Sequence, residues 1–270
     1  MSNYNKIQWV VQRNLNQNNV NSIKNACEQI GIDCHFIDVI PFSGILPEFP
    51  DDKHSIFYGS TSMMYSVYQN EKYKRGLFFD KDTFSLSNYF DKWKESMLNF
   101  GARQLTINDL NKLDYADDKL LFIRPDADSK SFNGDVRRYD EIKLWAEQIK
   151  LTETDILNIS TEIIISEPYH LKSEWRLWIV NGKVITASKY RENFKLKPEY
   201  GCPQNVIDFA ELKCMEYKLH DVFVMDVGLC GGELYIIECN SMNSSGFYKA
   251  NIDKIISSVT DYFNEIDIEN

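Results

Sequence analysis

Residues 223–248 read FVMDVGLCGGELYIIECNSMNSSGFY. Two short apolar runs flank Gly231-Gly232, which is the sequence pattern of a β-hairpin. Each run carries polar groups where a strand would favour Val or Ile: Asp226 in the first, Glu238 and Asn240 at the end of the second. Glu238 and Asn240 are two positions apart and so share one face of a strand. Two carboxylates and an amide oxygen in an apolar frame are costly unless a cation sits between them. Hard oxygen donors of this kind suit Mg²⁺ or Mn²⁺. A hairpin whose polar residues face solvent fits the same letters, and the register separates the two readings. A strict two-residue turn pairs Asp226 with Ile237 and sends Glu238 to the opposite face. A metal shared by Asp226 and Glu238 therefore requires an odd-length loop or a bulge.

The surrounding chain has 270 residues, enough for one large domain or two small ones. Its 43% hydrophobic and 26% charged residues are ordinary for a soluble globular protein. A net charge of −10 argues against nonspecific nucleic-acid binding, which needs a basic surface, but leaves room for a small anion held by local Arg and Lys. The six cysteines form no C-x-x-C pair and have no accompanying His cluster, so no zinc site is expected and reduced thiols are. The N-terminus MSNYNKIQW has no apolar core, and no apolar run approaches the ~20 residues of a membrane span. These features predict a cytoplasmic protein with neither nucleic acid nor membrane as partner.

Upstream, Ile7 to Gln12, Ile32 to Ile40 and Ser55 to Gly59 read as strands, with a helix over 20–30 stopped by Gly31 and another begun by Ser60-Thr61-Ser62. That is a βαβ unit opening an α/β lobe. Phe90, Trp93, Met97 and Leu98 fit one helix face ending at Gly101, and 106–113 a short capped helix. Leu120 to Pro125 and Glu162 to Pro168 read as strands, with an amphipathic helix over 139–149 between them. Residues 175–180 and 183–190 form a hairpin around Asn181-Gly182. Helices over 206–220 and 252–263 complete the pattern.

Cations and carboxylates fall at strand ends in the last two-thirds of the chain: Arg124, Lys130, Glu167, Arg176, Lys189, Arg191, Asp226, Glu238 and Asn240. Such a set can clamp phosphates and hold a divalent metal. No G-x-x-x-x-G-K-[ST] and no G-x-G-x-x-G occurs. Arg176 lies between Trp175 and Leu177 in an apolar run, so it needs an anionic partner, either a phosphate or a carboxylate such as Glu174. Lys189 and Arg191 alternate with Tyr190 and so share one face of a strand, as charges on a solvated edge strand also do.

The pieces FIRPDADSKSFNG (122–134), ISEP (165–168), EWRLWIVNGKVITASKYR (174–191) and MDVG…LYIIECNSMNSSGFY (225–248) resemble, in order and spacing, the ATP-grasp superfamily. The resemblance is to the clade in which arginine, here Arg124, replaces the usual strand lysine, and YGSTS at 58–62 fits that clade's preceding domain. It implies an α+β / α/β chain: an N-terminal α/β pre-ATP-grasp lobe and linker over 1–115, then an ATP-grasp nucleotide-binding and catalytic region over 116–270. It further implies ATP with Mg²⁺ or Mn²⁺ as cofactors. Arg124, Lys130, Glu167, Arg176 and Lys189 would contact the nucleotide, with Glu167 at the interlobe hinge. Arg176 and Lys189 would serve the reaction, Asp226, Glu238 and Asn240 the metal, and Arg191, Ser244 and Ser245 the acceptor. The implied reaction is carboxylate–amine ligation through an acyl phosphate, on small-molecule, peptide or protein substrates. A phosphotransferase on the same fold and a non-catalytic nucleotide-binding interaction protein are the alternatives.

Overall fold

The computed structural model describes residues 4–41, 43–80, 82–127 and 131–268. The chain opens with strand β1 (Ile7–Gln12), helix α1 (Gln17–Ile30), β2 (Asp33–Ile37), β3 (His54–Tyr58) and α2 (Thr61–Tyr68). β1 lies between β2 and β3 and is parallel to both. As the central strand of a parallel sheet it is buried on both faces, which is why IQWVVQ runs apolar without strict alternation. Ile7, Trp9 and Val11 face one core with α1, while Val10 faces another with Met63, Met64 and Val67 of α2. Gly31 closes α1 at φ 71 and Ser60 caps α2 through its hydroxyl, as the sequence indicates.

Helix α3 (Leu86–Trp93) is shorter than its apolar spacing suggests. Lys94 leaves the helix at φ 43, and Met97 and Leu98 instead run beside Ile236, with the Leu98 N–H donating to the Ile236 carbonyl. The next layer is an antiparallel sheet in the order β4 (Arg103–Thr106), β7 (Glu162–Ser166), β5 (Leu120–Pro125), β6 (Asp135–Arg138). Helix α4 (Tyr139–Leu151) covers one face, packing on Leu121, Ile123, Ile163 and Ile165. Residues between these on β5, Phe122 and Arg124, face the other way.

The largest sheet is antiparallel, in the order β10 (Lys195–Tyr200), β9 (Lys183–Glu192), β8 (Leu171–Val180), β11 (Val222–Cys230), β12 (Glu233–Asn240). Trp175, Leu177, Met225, Val227 and Ile236 bury one face against α3 and α5 (Gln204–Glu216). The opposite face is divided along the strands. At one end Trp178, Val222 and Val224 dock on the N-terminal lobe through Phe247 and α6 (Ile252–Ile268). The joint is polar as well as apolar: the Trp9 indole donates to Thr260, and the Tyr58 hydroxyl to the Ser245 carbonyl. At the other end the same face carries charge and meets the β5 side of the second sheet. Strands β4, β6 and β10 are additional to those read from the sequence. Each is short or exposed and supplies little apolar periodicity.

All six cysteines are free. None of the described helices is long and apolar enough to cross a membrane.

Candidate active site

The opening hairpin meets the condition set by its sequence. Gly231 and Gly232 have φ 60 and 96, a two-residue turn that closes on Cys230 and Glu233. The ladder then runs regularly to Val227 opposite Ile236, skips Ile237, and resumes with Asp226 opposite Glu238. Ile237 is a bulge, so it and Glu238 both border the cleft while Ile236 stays in the core. A second bulge lies in β9, where Trp175 pairs with Lys189 and Glu174 with Arg191. Tyr190 is the extra residue, and both Tyr190 and Arg191 border the cleft. This bulge breaks the alternation expected from the sequence: Lys189 is paired with the core-facing Trp175, Arg191 with the cleft-facing Glu174. Lys189 reaches Glu199 at 2.7 Å and Glu192 at 3.5 Å.

Register aligns four strands into a polar row: Ser188, Arg176, Asp226 and Glu238 stand side by side across β9, β8, β11 and β12. Arg176 donates from Nε and Nη2 to the two oxygens of Asp226 at 2.9 and 2.8 Å. This fork-to-fork pair is the anionic partner that an arginine buried in an apolar strand requires. Burial and the nearby Glu238 carboxylate push the Asp226 carboxyl up, while Arg176 opposes them. The Arg176 guanidinium also lies 5.2 Å from the ring centre of Tyr248, which stacks on Tyr190 at 5.0 Å. Tyr248 holds φ 51, an uncommon backbone state for a large side chain.

Glu238 accepts from Asn240 Nδ2 at 3.1 Å and lies 2.6 Å from Arg124 Nη2. Burial alone would raise its carboxyl, but Arg124, Asn240 and Arg176 together outweigh it and hold Glu238 at about 2. Arg124 thus crosses from the second sheet to the largest one, and the cleft lies around that contact. Its volume is about 660 Å³. It is lined by apolar side chains, Leu98, Phe122, Leu171 and Ile237, and by the polar groups of Arg124, Arg191, Glu238 and Asn240.

Among the residues proposed from sequence, Arg124, Arg191, Glu238 and Asn240 border the cleft together. Asp226 and Arg176 lie beside them in the row, paired with one another. Glu167 is exposed and pairs with Lys119 at 2.8 Å. The Ser245 hydroxyl is buried and donates to the Ser241 carbonyl, within the turn that docks on β3; Ser244 is in the same turn. Lys130 lies outside the described residues.

Glu174, Tyr190 and Ile237 border the cleft although none was proposed from the sequence as a site residue; Glu174 was considered only as a partner for Arg176, a place that Asp226 takes. Glu174 accepts from the Tyr190 hydroxyl at 2.8 Å, and burial raises its carboxyl against that bond. A charge inside the apolar run LKSEWRLWIV was its available signal. Tyr190 and Ile237 enter through bulges, which leave no mark in composition. Among the described residues no three His, Cys, Asp or Glu side chains gather as a metal site. The oxygen donors available for a hard cation are Glu238 and the Asn240 Oδ1, with Asp226 behind them.

A family model for the ATP-grasp domain, that of the second family in the arginine-for-lysine clade, matches residues 100–257. No curated protein sequence matches the chain significantly. Three solved structures illustrate the fold. D-cycloserine synthetase DcsG aligns with a TM-score of 0.62 at 9% identity, covering 95% of this chain and 99% of that one. The ATP-grasp ligase PsnB, complexed with a minimal precursor, Mg and ADP, aligns at 0.54 and 13% identity over 94% and 98%. D-alanine–D-alanine ligase from Bacillus anthracis, complexed with ATP, aligns at 0.57 and 12% identity over 97% and 98%. At these identities the likeness is one of fold. The last two hold ADP with Mg, and ATP; ATP and Mg²⁺ are the cofactors expected from the sequence.

Proposed function

This chain belongs to the second family in the arginine-for-lysine clade of ATP-grasp domains, and from that membership we propose that it is an ATP-dependent carboxylate–amine ligase working through an acyl phosphate. The observation that carries the reading is the Arg124–Glu238 contact at 2.6 Å inside the cleft. It sets a phosphate-binding cation against a metal-binding carboxylate, with an apolar shelf alongside. The chain divides in function at about residue 115, the N-terminal lobe bracing the turn after β12 and the remainder holding the nucleotide, with Leu98 and Asn99 of the linker also bordering the cleft.

The donors at the cleft fit a hard divalent cation, since Glu238 is a carboxylate held ionised and Asn240 has its Oδ1 unspent on Glu238. Mg²⁺ held there would neutralise phosphate charge. Arg124 binds the phosphates from the second sheet, and Arg191, half exposed at the cleft edge, draws the acceptor carboxylate. Arg176 is a positioning residue: it fixes both oxygens of Asp226, and its Nη1 lies 3.4 Å from the Gly246 carbonyl of the turn leading to Tyr248. In this reaction the γ-phosphoryl passes to a carboxylate, the amine attacks the acyl carbon, and phosphate leaves. The protein's part is to orient the reactants and stabilise charge, so it needs no nucleophile of its own.

PsnB has been crystallised with a precursor peptide, and a peptide carboxylate is the first acceptor to offer here. The test is incubation with ATP, Mg²⁺, carboxylate-bearing peptides and amines, following ADP, phosphate and product mass. A product lighter by one water than its two substrates supports the ligase. A phosphorylated product with no amide, or no ATP turnover with any acceptor, overturns it.

A further inference from the structure

Asn99 is 2% exposed and lies between the two sheets, just after the segment that pairs with Ile236. Its Oδ1 lies 3.2 Å from the Ser166 hydroxyl at the end of β7, a hydroxyl also 3.1 Å from the Glu167 carbonyl. Its Nδ2 has no acceptor among the described residues, and Asn99 borders the cleft. A ligand that fills the cleft shuts water away from this amide. An N–H closed off without a partner is costly, and such groups in native proteins are almost always satisfied. The acceptor is therefore expected on whatever fills the cleft.

The position of Asn99 says which part of that ligand it meets. Ser166 pairs with Phe122, so Asn99 lies level with Phe122 on β5. Leu98 and Ile237 adjoin it, and together these side chains form the apolar shelf. Arg124 is two residues further along β5, on the same face, and marks the phosphate end. A nucleotide with its phosphates at Arg124 lays a planar base on the shelf, with an edge towards Asn99.

We propose that Asn99 is a base-reading residue, donating from Nδ2 to one ring nitrogen of the purine. The inference rests on the nucleotide reading of the cleft and adds to it a contact from outside the matched 100–257 region. Ser166 is the positioning residue, because anchoring Oδ1 leaves the donor, and not the acceptor, facing the cleft.

The test is calorimetric binding of ATP and its 1-deaza, 3-deaza and 7-deaza analogues to the full chain and to Asn99→Leu, in Mg²⁺ buffer. The wild-type chain should bind one analogue three- to about tenfold more weakly than ATP, the loss of one buried hydrogen bond. Asn99→Leu should lose a similar factor towards ATP and bind that analogue and ATP equally. A variant that keeps the wild-type ranking, or a wild-type chain indifferent to all three analogues, overturns the proposal while leaving the nucleotide site standing. Failure of the wild-type chain to bind ATP at all overturns both. If Asn99→Leu melts early, Asn99→Asp, which keeps the shape and removes the donor, must show the same levelled ranking.

Discussion

Glu238 stands directly opposite Asp226 although the hairpin between them turns in two residues, because Ile237 is an extra residue in β12. Removing Ile237 would join Ile236 to Glu238 and leave a regular ladder in which Glu238 still faces Asp226. The deletion variant should therefore fold with a cooperative melt. What it loses is the side chain on the apolar shelf, where Leu171 and Ile237 close over Gly228. Nucleotide affinity should fall by about tenfold, in keeping with one lost branched side chain. Circular dichroism melts and calorimetry would check both halves; a chain that does not fold shows that the bulge sets the register and is not an insertion into it.

The Arg176–Asp226 pair makes a stability prediction. Arg176 retains 12% and Asp226 2% of its side-chain exposure. Arg176→Ala leaves Asp226 buried without its partner and should cost about 3–5 kcal/mol in urea unfolding. Replacing both, as Arg176→Met with Asp226→Leu, should recover most of that loss while abolishing turnover. Equal destabilisation in the single and double variants would contradict the pairing as the source of the cost.

These two cases show what the sequence makes legible. Asp226, Glu238 and Arg176 are conspicuous because a charge in an apolar run needs a partner, and that rule holds whatever the fold. Most of the strand–helix order was readable from apolar periodicity and the Gly31, Asn181-Gly182 and Gly231-Gly232 stops, while the short or exposed β4, β6 and β10 were not. Partner choice was not, since Asp226 meets Arg176 through a strand register that brings residues 50 apart together. Bulges were not legible either: the one at Tyr190 separates Lys189 from Arg191, which strict alternation would place together. Asn99 sits in a helix-like spacing that Lys94 interrupts, and only the tertiary structure shows its amide bordering the cleft.

Glu238→Gln separates metal binding from phosphate binding. Gln keeps the shape of the side chain but cannot balance Arg124, which then has one fewer competitor for phosphate. The variant should lose at least about 100-fold in turnover. It should bind ATP without Mg²⁺ as well as the wild-type chain or better, and gain less from added Mg²⁺. Calorimetry with and without Mg²⁺ decides it. An undiminished Mg²⁺ enhancement would remove Glu238 from the metal site.

His220 gives a pH dependence independent of the cleft. It lies just before β11, where its Nδ1 accepts from the Val222 N–H at 3.1 Å and its ring sits among Phe78 and Phe84. Burial lowers its pKa below the ordinary value near 6.5, and that outweighs Asp221. A lowered folded-state value means the unfolded chain binds the proton first as pH falls. The stability due to neutral His220 is thus complete above about pH 6.5 and is lost as pH drops from there towards the folded-state value. His220→Gln cannot titrate and should lack this part of the decline. Urea midpoints between pH 8 and pH 5.5 should fall more steeply for the wild-type chain, by at most about 1.4 kcal/mol per pH unit for one group. Carboxylate contributions are common to both chains and cancel in the difference. Parallel curves would mean that His220 accepts its proton as readily in the folded chain as in the unfolded one.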